Sequence, residues 1–458
     1  RLLRCAAGLL GLGASAAALR AAAPGASRQP LENYHDAQYA IDVSLGRQNI
    51  KGIFDTGSSG ILVFSKACRG CGAAGAYSQG ASQSFARGGH RSRSEYDGGG
   101  RETQDARDSV AIGPYSSSAQ AFWMALSCDM PVLQHAAFNA IVGTGPPGMD
   151  ESRAREGLAE MQGMEEECRQ SEVPVPAEVR ELLDQYQGEL DAAQQNHSVL
   201  DNFGITTFSV CLGWAQGTRG WVVWNDATRE GLPGVVRLPV VGSFEWSVAV
   251  QGVTVGHHGD AGTDLGCQAG CEAVLDTGTS LLGLPSHMHA ALQRALKVDR
   301  ADCSDISSFP DLVLHVGGAE LRLPPDTYIG NLTGKVASQL PNFMELGVGT
   351  DSPCHLLIAD VEQTPKRAPT IILGMPFFRQ YYSTFRMSRS PAERSIFVSQ
   401  ADSDCQPPLG GIAKAAMRRR GEHVKPREVD ARKLRLPSWA RKKGVQFRRR
   451  VLRSCSHA

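Results

Sequence analysis

Ile53-Phe54-Asp55-Thr56-Gly57-Ser58-Ser59-Gly60 is written a second time, as Val274-Leu275-Asp276-Thr277-Gly278-Thr279-Ser280-Leu281, 221 positions downstream. In each copy an apolar pair runs into an Asp, then a hydroxyl residue, a Gly and further hydroxyl residues. An apolar run that meets a Gly reads as a buried strand ending in a tight loop. A single Asp-Thr-Gly is an ordinary turn. Two copies with matching flanks, one in each half of the chain, are a duplication. The repeat extends further: Ile141-Val142-Gly143 follows Asp55 at 88 residues and Ile372-Leu373-Gly374 follows Asp276 at 98. Two similar lobes facing each other are the economical reading.

Facing lobes bring Asp55 and Asp276 together. Two carboxylates about 4 Å apart, at an effective dielectric near 20, repel by about 4 kcal/mol, or roughly three pKa units. Such a pair holds one proton over a wide acidic range. One member is then a base able to activate a water, and the other an acid able to protonate a carbonyl oxygen. That combination cleaves a peptide bond with no metal, cofactor or covalent intermediate. Short hydroxyl side chains suit its surroundings: Thr56 and Thr277 to brace the loops, Ser58 and Thr279 to bond the outer carboxylate oxygens.

With these residues in place the chain resembles the pepsin-like aspartic proteases. Further matching pieces are Phe244-Glu245-Trp246, Gly266-Cys267 to Cys271, Ser307 with Phe309-Pro310-Asp311, and Ile372-Leu373-Gly374 with Phe377 to Tyr382. The resemblance spans about residues 31–400. It implies a mostly β, bilobal fold of two similar β-barrel-like lobes with the active site in the cleft between them. It also implies an aspartic endopeptidase working at acid pH on an extended peptide with apolar side chains flanking the cut. Asp55 and Asp276 would be catalytic, held by Thr56, Gly57, Ser58, Thr277, Gly278 and Thr279. Tyr96, before the run Asp97 to Gly100, would close a β-hairpin flap over the substrate. The family pattern pairs Cys68 with Cys71, Cys267 with Cys271 and Cys303 with Cys354. The flap neighbourhood departs from that pattern: Leu62 stands where a Trp usually bonds the flap Tyr, Gly60 replaces an Asn, and Asp97 replaces a Gly. Leu62 cannot donate a hydrogen bond, which puts the flap geometry in question without touching the dyad.

The chain has 458 residues, enough for two or three domains with sizeable cores. Lys+Arg and Asp+Glu both number 47, so net charge points to no partner. Locally the charges separate: residues 412–458 hold 16 Lys/Arg against 3 acids, and residues 149–195 hold 13 acids against 4 Arg. The expected organisation is a signal-like leader and linker (1–30), an N-terminal β lobe (31–218) with an acidic helical insertion (149–196), a C-terminal β lobe (219–401), and a basic tail (402–458). The tail composition predicts disorder. Within the insertion, Leu182, Leu183, Tyr186 and Leu190 form one apolar stripe at helical spacing. Contact between the acidic insertion and the basic tail is the sharper reading of their charges, and two solvated faces the plainer one.

Arg1-Leu2-Leu3-Arg4 and the Ala/Gly/Leu-rich run after it look like a signal peptide, with an organelle transit segment as the competitor. No other stretch approaches a membrane span. Twelve cysteines behind such a leader favour disulfides. A zinc site built from the two short Cys pairs is the rival, but it lacks His at ligand spacing. The pairing of Cys128, Cys168, Cys211, Cys405 and Cys455 stays open. Asn196 and Asn331 head glycosylation sequons. A monomer in the secretory pathway is expected, ending outside the cell or in an acidic vacuole- or lysosome-like compartment, with no nucleic acid on the core. A binding protein on the same fold, without turnover, is the rival function. Such proteins usually lose an Asp or its hydroxyl support, and here all are present.

Overall fold

The computed structural model describes residues 25–96, 99–242, 245–296, 304–333, 355–361, 368–406 and 424–435. The first half runs through β1 (Ser27–Tyr34), β2 (Gln38–Leu45), β3 (Gln48–Asp55) and β4 (Ile61–Arg69), then β5 (Ala86–Tyr96), β6 (Gly99–Ile112), β7 (Tyr115–Cys128) and β8 (Ala140–Gly143). Two helices follow, α1 (Met149–Gln170) and α2 (Ala177–Gln195), and then β9 (Thr207–Cys211) and β10 (Gly220–Trp224). The second half opens with β11 (Val236–Val241), β12 (Ser247–Val250), β13 (Gly252–Gly256), β14 (Thr263–Gly266), β15 (Cys271–Leu275) and β16 (Leu282–Pro285). It continues through β17 (Asp311–Val316), β18 (Ala319–Leu323), β19 (Ile329–Thr333), β20 (His355–Leu356), β21 (Ile358–Val361), β22 (Thr370–Leu373), β23 (Tyr381–Arg386), β24 (Ser395–Gln400) and β25 (Arg427–Asp430). The protein is mostly β.

The duplication is a spatial repeat. β3 lies parallel to β8, pairing Phe54 with Val142 and Asp55 with Gly143, while β15 lies parallel to β22, pairing Leu275 with Leu373. The strand after each Asp loop crosses the same partner in the antiparallel sense: β4 on β8 and β16 on β22. Each Asp loop is thus threaded by a second strand that ends in Gly. A Cβ at Gly143 would lie 2.6 Å from the Gly60 carbonyl oxygen, and one at Gly374 would lie 2.0 Å from that of Leu281. Only glycine lets the backbones pass this closely.

The halves are joined by an antiparallel run in the order β1–β10–β9–β23–β24–β11. Aromatic rings fill its face under the two Asp loops. Phe54 meets Trp224 edge-on at 5.6 Å, Phe208 stacks on Phe385 at 4.7 Å, and Trp246 meets Phe385 at 5.1 Å. Trp246 also donates to the Thr144 carbonyl at 3.0 Å, tying the second half to the turn after β8. β2 is buried on both faces from Gln38 to Ile41 and exposes only Asp42, so the alternation of a half-buried strand is confined to its second half, where Val43 and Leu45 are buried.

Several boundaries differ from the expectation. β1 begins at Ser27, inside the segment read as linker, because Ser27 to Pro30 pair with Trp221 to Trp224. The insertion is a pair of helices, α1 as well as α2. They pack through Met161, Met164, Cys168 and Val179, against the stripe residues Leu182, Leu183 and Tyr186. Residues 424–435, read as part of a disordered tail, form β25 and a short turn, and β25 lies parallel to β19. Val429, Ala431 and Leu434 bury their side chains there with Ala37, Leu281 and Leu357. These few apolar groups are what the Arg-rich composition concealed. Residues 1–24 of the leader and residues 407–423 and 436–458 of the tail lie outside the described residues.

Candidate active site

Asp55 ends β3 and Asp276 follows β15, each carried to the lobe junction by a buried strand. The Thr144 amide donates to the Asp55 carbonyl at 2.8 Å, and the Asp276 amide donates to the Leu373 carbonyl at 3.0 Å. The two loops hold each other reciprocally. The Thr56 amide donates to Thr277 Oγ1 and the Thr277 amide to Thr56 Oγ1, both at 3.0 Å. Each hydroxyl then donates to the opposite strand, Thr56 to the Leu275 carbonyl and Thr277 to the Phe54 carbonyl, both at 2.8 Å. The amides and hydroxyls of both threonines are thus paired, which fixes how the two loops sit.

Gly57 donates its amide to Asp55 Oδ1 at 3.0 Å, and Gly278 donates to Asp276 Oδ1 at 2.7 Å. Each glycine also faces the other loop's carboxylate. A Cβ on Gly57 would lie 2.4 Å from Asp276 Cγ, and one on Gly278 would lie 2.3 Å from Asp55 Cγ. The carboxylates therefore close on one another across two glycines. Both are buried. Burial, and after it the Asp55 carboxylate, push the Asp276 carboxyl up to about 7. A low-dielectric site disfavours a second negative charge, so the pair keeps a proton.

The outer oxygens break the symmetry. Thr279 Oγ1 donates to Asp276 Oδ2 at 2.5 Å. The matching Ser58 Oγ is buried and makes no hydrogen bond among the described residues. Asp55 Oδ2 instead meets the Arg435 guanidinium at 3.4 Å. The expectation that Ser58 bonds Asp55 does not match this arrangement. Arg435 was not anticipated, and no spacing rule links residues 380 apart.

The loop after Asp55 is also held by α1. Arg153 donates to the Gly57 carbonyl at 3.3 Å and lies 3.5 Å from Glu245, and Ser59 Oγ bonds Asp150. β5 and β6 pair as the expected flap hairpin, closing with Tyr96 opposite Gly99. Residues 97–98 and the side chain of Tyr96 lie outside the described residues. The flap stem leans on α2: Ser92 Oγ bonds Glu189, and the Arg93 amide donates to Gln185 Oε1 at 3.0 Å. Burial raises the Glu189 carboxyl above its ordinary range. Leu62, in the place of the missing Trp, pairs with Trp123 on β7.

Cys68 is bonded to Cys71 and Cys267 to Cys271; Cys303 and Cys354 lie outside the described residues. The sequence left Cys211 and Cys405 open, and they are bonded to each other across 194 positions. Cys168 is disulfide-bonded and Cys128 is a buried free thiol. The Cys128 sulfur lies within 4.8 Å of those of Cys68 and Cys71. The bond between those two removes two of the three donors, and burial pushes the Cys128 thiol up to about 11. This cluster does not resemble a set of metal ligands. Asn196 caps the end of α2 and accepts from Arg107, while Asn331 lies in β19 opposite Glu428.

The eukaryotic aspartyl protease family model matches residues 38–167 and 205–392. The gap between the two stretches removes the end of α1 and all of α2. Among curated relatives, gastricsin of Suncus murinus is 26% identical over 368 residues, covering 78% of this chain and 81% of that protein. Pepsin A of Bos taurus is 25% identical over 385 residues, covering 80% and 86%. Gastricsin of Homo sapiens is 25% identical over 370 residues, covering 78% and 81%.

Proposed function

The chain belongs to the eukaryotic aspartyl protease family and is an aspartic-type peptide hydrolase, and from that premise we propose that Asp55 and Asp276 are its dyad and that it cleaves extended peptides at acid pH. Asp276 keeps the shared proton, because burial and the neighbouring Asp55 raise it. The negative charge of the pair then lies on Asp55, which takes a proton from a water as it attacks the scissile carbonyl. Asp276 protonates the carbonyl oxygen, and the tetrahedral species that forms is stabilised in a site closed to bulk water. Its collapse breaks the C–N bond and returns a proton to the departing amine. Thr56 and Thr277 hold the loops, Gly57 and Gly278 orient the inner carboxylate oxygens, and Thr279 fixes the outer oxygen of Asp276. The β5–β6 hairpin, with Tyr96 near its tip, closes over the bound peptide and limits water access.

The observation that carries this reading is the reciprocal Thr56–Thr277 clasp with both carboxylates buried beside it. We also assign the chain to the secretory pathway and an acidic destination. The Cys68–Cys71, Cys211–Cys405 and Cys267–Cys271 bonds support that route, as does the signal-like start. Among the described residues no helix is long and apolar enough to cross a membrane.

The test is cleavage of an acid-unfolded protein by oxidised full-length enzyme, with and without a statine-type transition-state mimic. Cleavage blocked by the mimic, and lowered at least about 10³-fold by Asp276→Asn, is the expected outcome. Failure to cleave or to bind the mimic across the acid range would favour a binding protein on this fold.

A further inference from the structure

We propose that the cleft already has a resident ligand, this chain's own segment 424–435, which enters as an extended basic peptide and competes with substrate through Arg435. This rests on the reading of Asp55 and Asp276 as the dyad.

The segment is built into the molecule at both of its ends. At its start the Val424 amide donates to Asp305 Oδ1, and the Ile306 amide donates to the Val424 carbonyl, both at 2.9 Å. β25 then adds to β19 in parallel register, Gly330 to Arg427 through Thr333 to Asp430. Arg427 is buried, 3.1 Å from Asp36 in the first lobe, and donates to the Trp214 carbonyl at 2.5 Å. The turn over Ala431–Lys433 carries the chain to the dyad, where Gln38 donates to the Lys433 carbonyl at 2.8 Å.

Arg435 itself makes a two-way main-chain pair with Ser280, in the loop that starts at Asp276. Its amide donates to Ser280 Oγ at 2.8 Å, and its carbonyl accepts from the Ser280 amide at 2.9 Å. Leu434 before it has extended backbone. An extended chain bonded in both directions to a catalytic loop is how a peptide strand is taken by a binding cleft. Its side chain then passes Phe138, whose ring centre lies 5.7 Å from the guanidinium carbon, and reaches Asp55 Oδ2. The side chains are only 14% exposed for Arg435 and 8% for Asp55, so this is a desolvated charge pair rather than a surface one.

Two consequences follow for chemistry. The guanidinium covers the outer oxygen of the carboxylate that must act on a water. A ligand tethered to its own cleft also has an effective concentration in roughly the millimolar range, so an added peptide must displace it. A strut that merely braced the lobes would need neither the Asp55 contact nor the pairing with the Asp276 loop.

The experiment uses the full chain and compares it with Arg435→Gln and Arg435→Lys. Cleavage of an extended peptide with apolar residues at the cut gives KM and kcat, and calorimetry gives the Kd of a statine-type mimic. Arg435→Gln should lower KM at least about tenfold with kcat held, and tighten the mimic by a similar factor, as removal of a tethered competitor requires. Arg435→Lys, which keeps the charge, should stay nearer the parent. Arg435→Met, which keeps the packing on Phe138, gives the same reading if Arg435→Gln does not fold. KM and mimic Kd both within about twofold of the parent would overturn the proposal whether or not the protein turns over. A tighter mimic with no turnover in any variant would uphold the resident ligand and sink the hydrolytic mechanism instead.

Discussion

Gly278 shows how little freedom the two Asp loops leave. An alanine there would put its Cβ 2.3 Å from Asp55 Cγ, far inside contact distance. The reciprocal threonine bonds keep the loops from moving apart, so the carboxylate must shift. Displacing a reacting group by about 1 Å can cost on the order of 10²-fold in rate. Gly278→Ala is therefore expected to fold, as followed by thermal unfolding, and to lose at least that factor in kcat. At this scale the sequence was informative about the two Asp with their Thr and Gly neighbours, because that loop is written twice, and about the bridges at Cys68–Cys71 and Cys267–Cys271, because each joins cysteines a few positions apart. It was silent about Arg435 and about Cys211 with Cys405, whose partners are distant along the chain. Ser58 and Thr279 look equivalent in the sequence. They differ in the fold because a guanidinium stands beside only one of the two outer oxygens.

Among the elements, the helix pair of the insertion does most to set this chain apart. α1 reaches the loop after Asp55 through Arg153 and Asp150, and α2 reaches the flap stem through Gln185 and Glu189. One insertion thus touches both walls of the site, on a chain whose Leu62 offers no hydrogen bond to a flap tyrosine. Each bond of this kind contributes about 1 kcal/mol. Gln185→Ala with Glu189→Ala should raise KM by roughly three- to tenfold and speed hydrogen exchange at the Arg93 amide, with kcat less affected. Exchange unchanged at Arg93 would show that α2 does not hold the flap stem. The sequence revealed α2 through its leucine and tyrosine stripe. α1 lies within the same helical insertion read over 149–196, but its inward face offered no stripe, being Met161, Met164 and Cys168 among many acids. The hairpin was legible only at its tip: Arg87 to Arg93 contain no large apolar side chain, and β5 is held by β6 and by polar contacts with α2.

At the scale of the whole molecule, two copies of one ladder are fused through a shared sheet, and their Asp loops meet at the reciprocal Thr56–Thr277 bonds. That duplication was legible because it repeats in sequence, Asp loop and Gly-ended strand alike. The return of residues 424–435 to the cleft was not, because an Arg-rich stretch gives no periodic signal and its anchors, Val429 and Leu434, are few. The Cys211–Cys405 bond adds a restraint across the fused halves, worth about 5 kcal/mol on the chain-entropy model. Joining the lobes raises Asp276 from the ordinary 3.8 to about 7, through burial first and Asp55 second. Between those values the folded protein holds a proton that the unfolded chain has released. The contribution of this group to stability therefore declines as pH rises through the window and is constant above it. In the mechanism we propose, the same proton is needed for turnover. The most direct test is the pH profile of kcat/KM on an extended apolar peptide. The account predicts a high acid value that falls as pH rises through the upper part of that window, following the loss of one proton from the pair. A kcat/KM that stays level or climbs through neutral pH would contradict it.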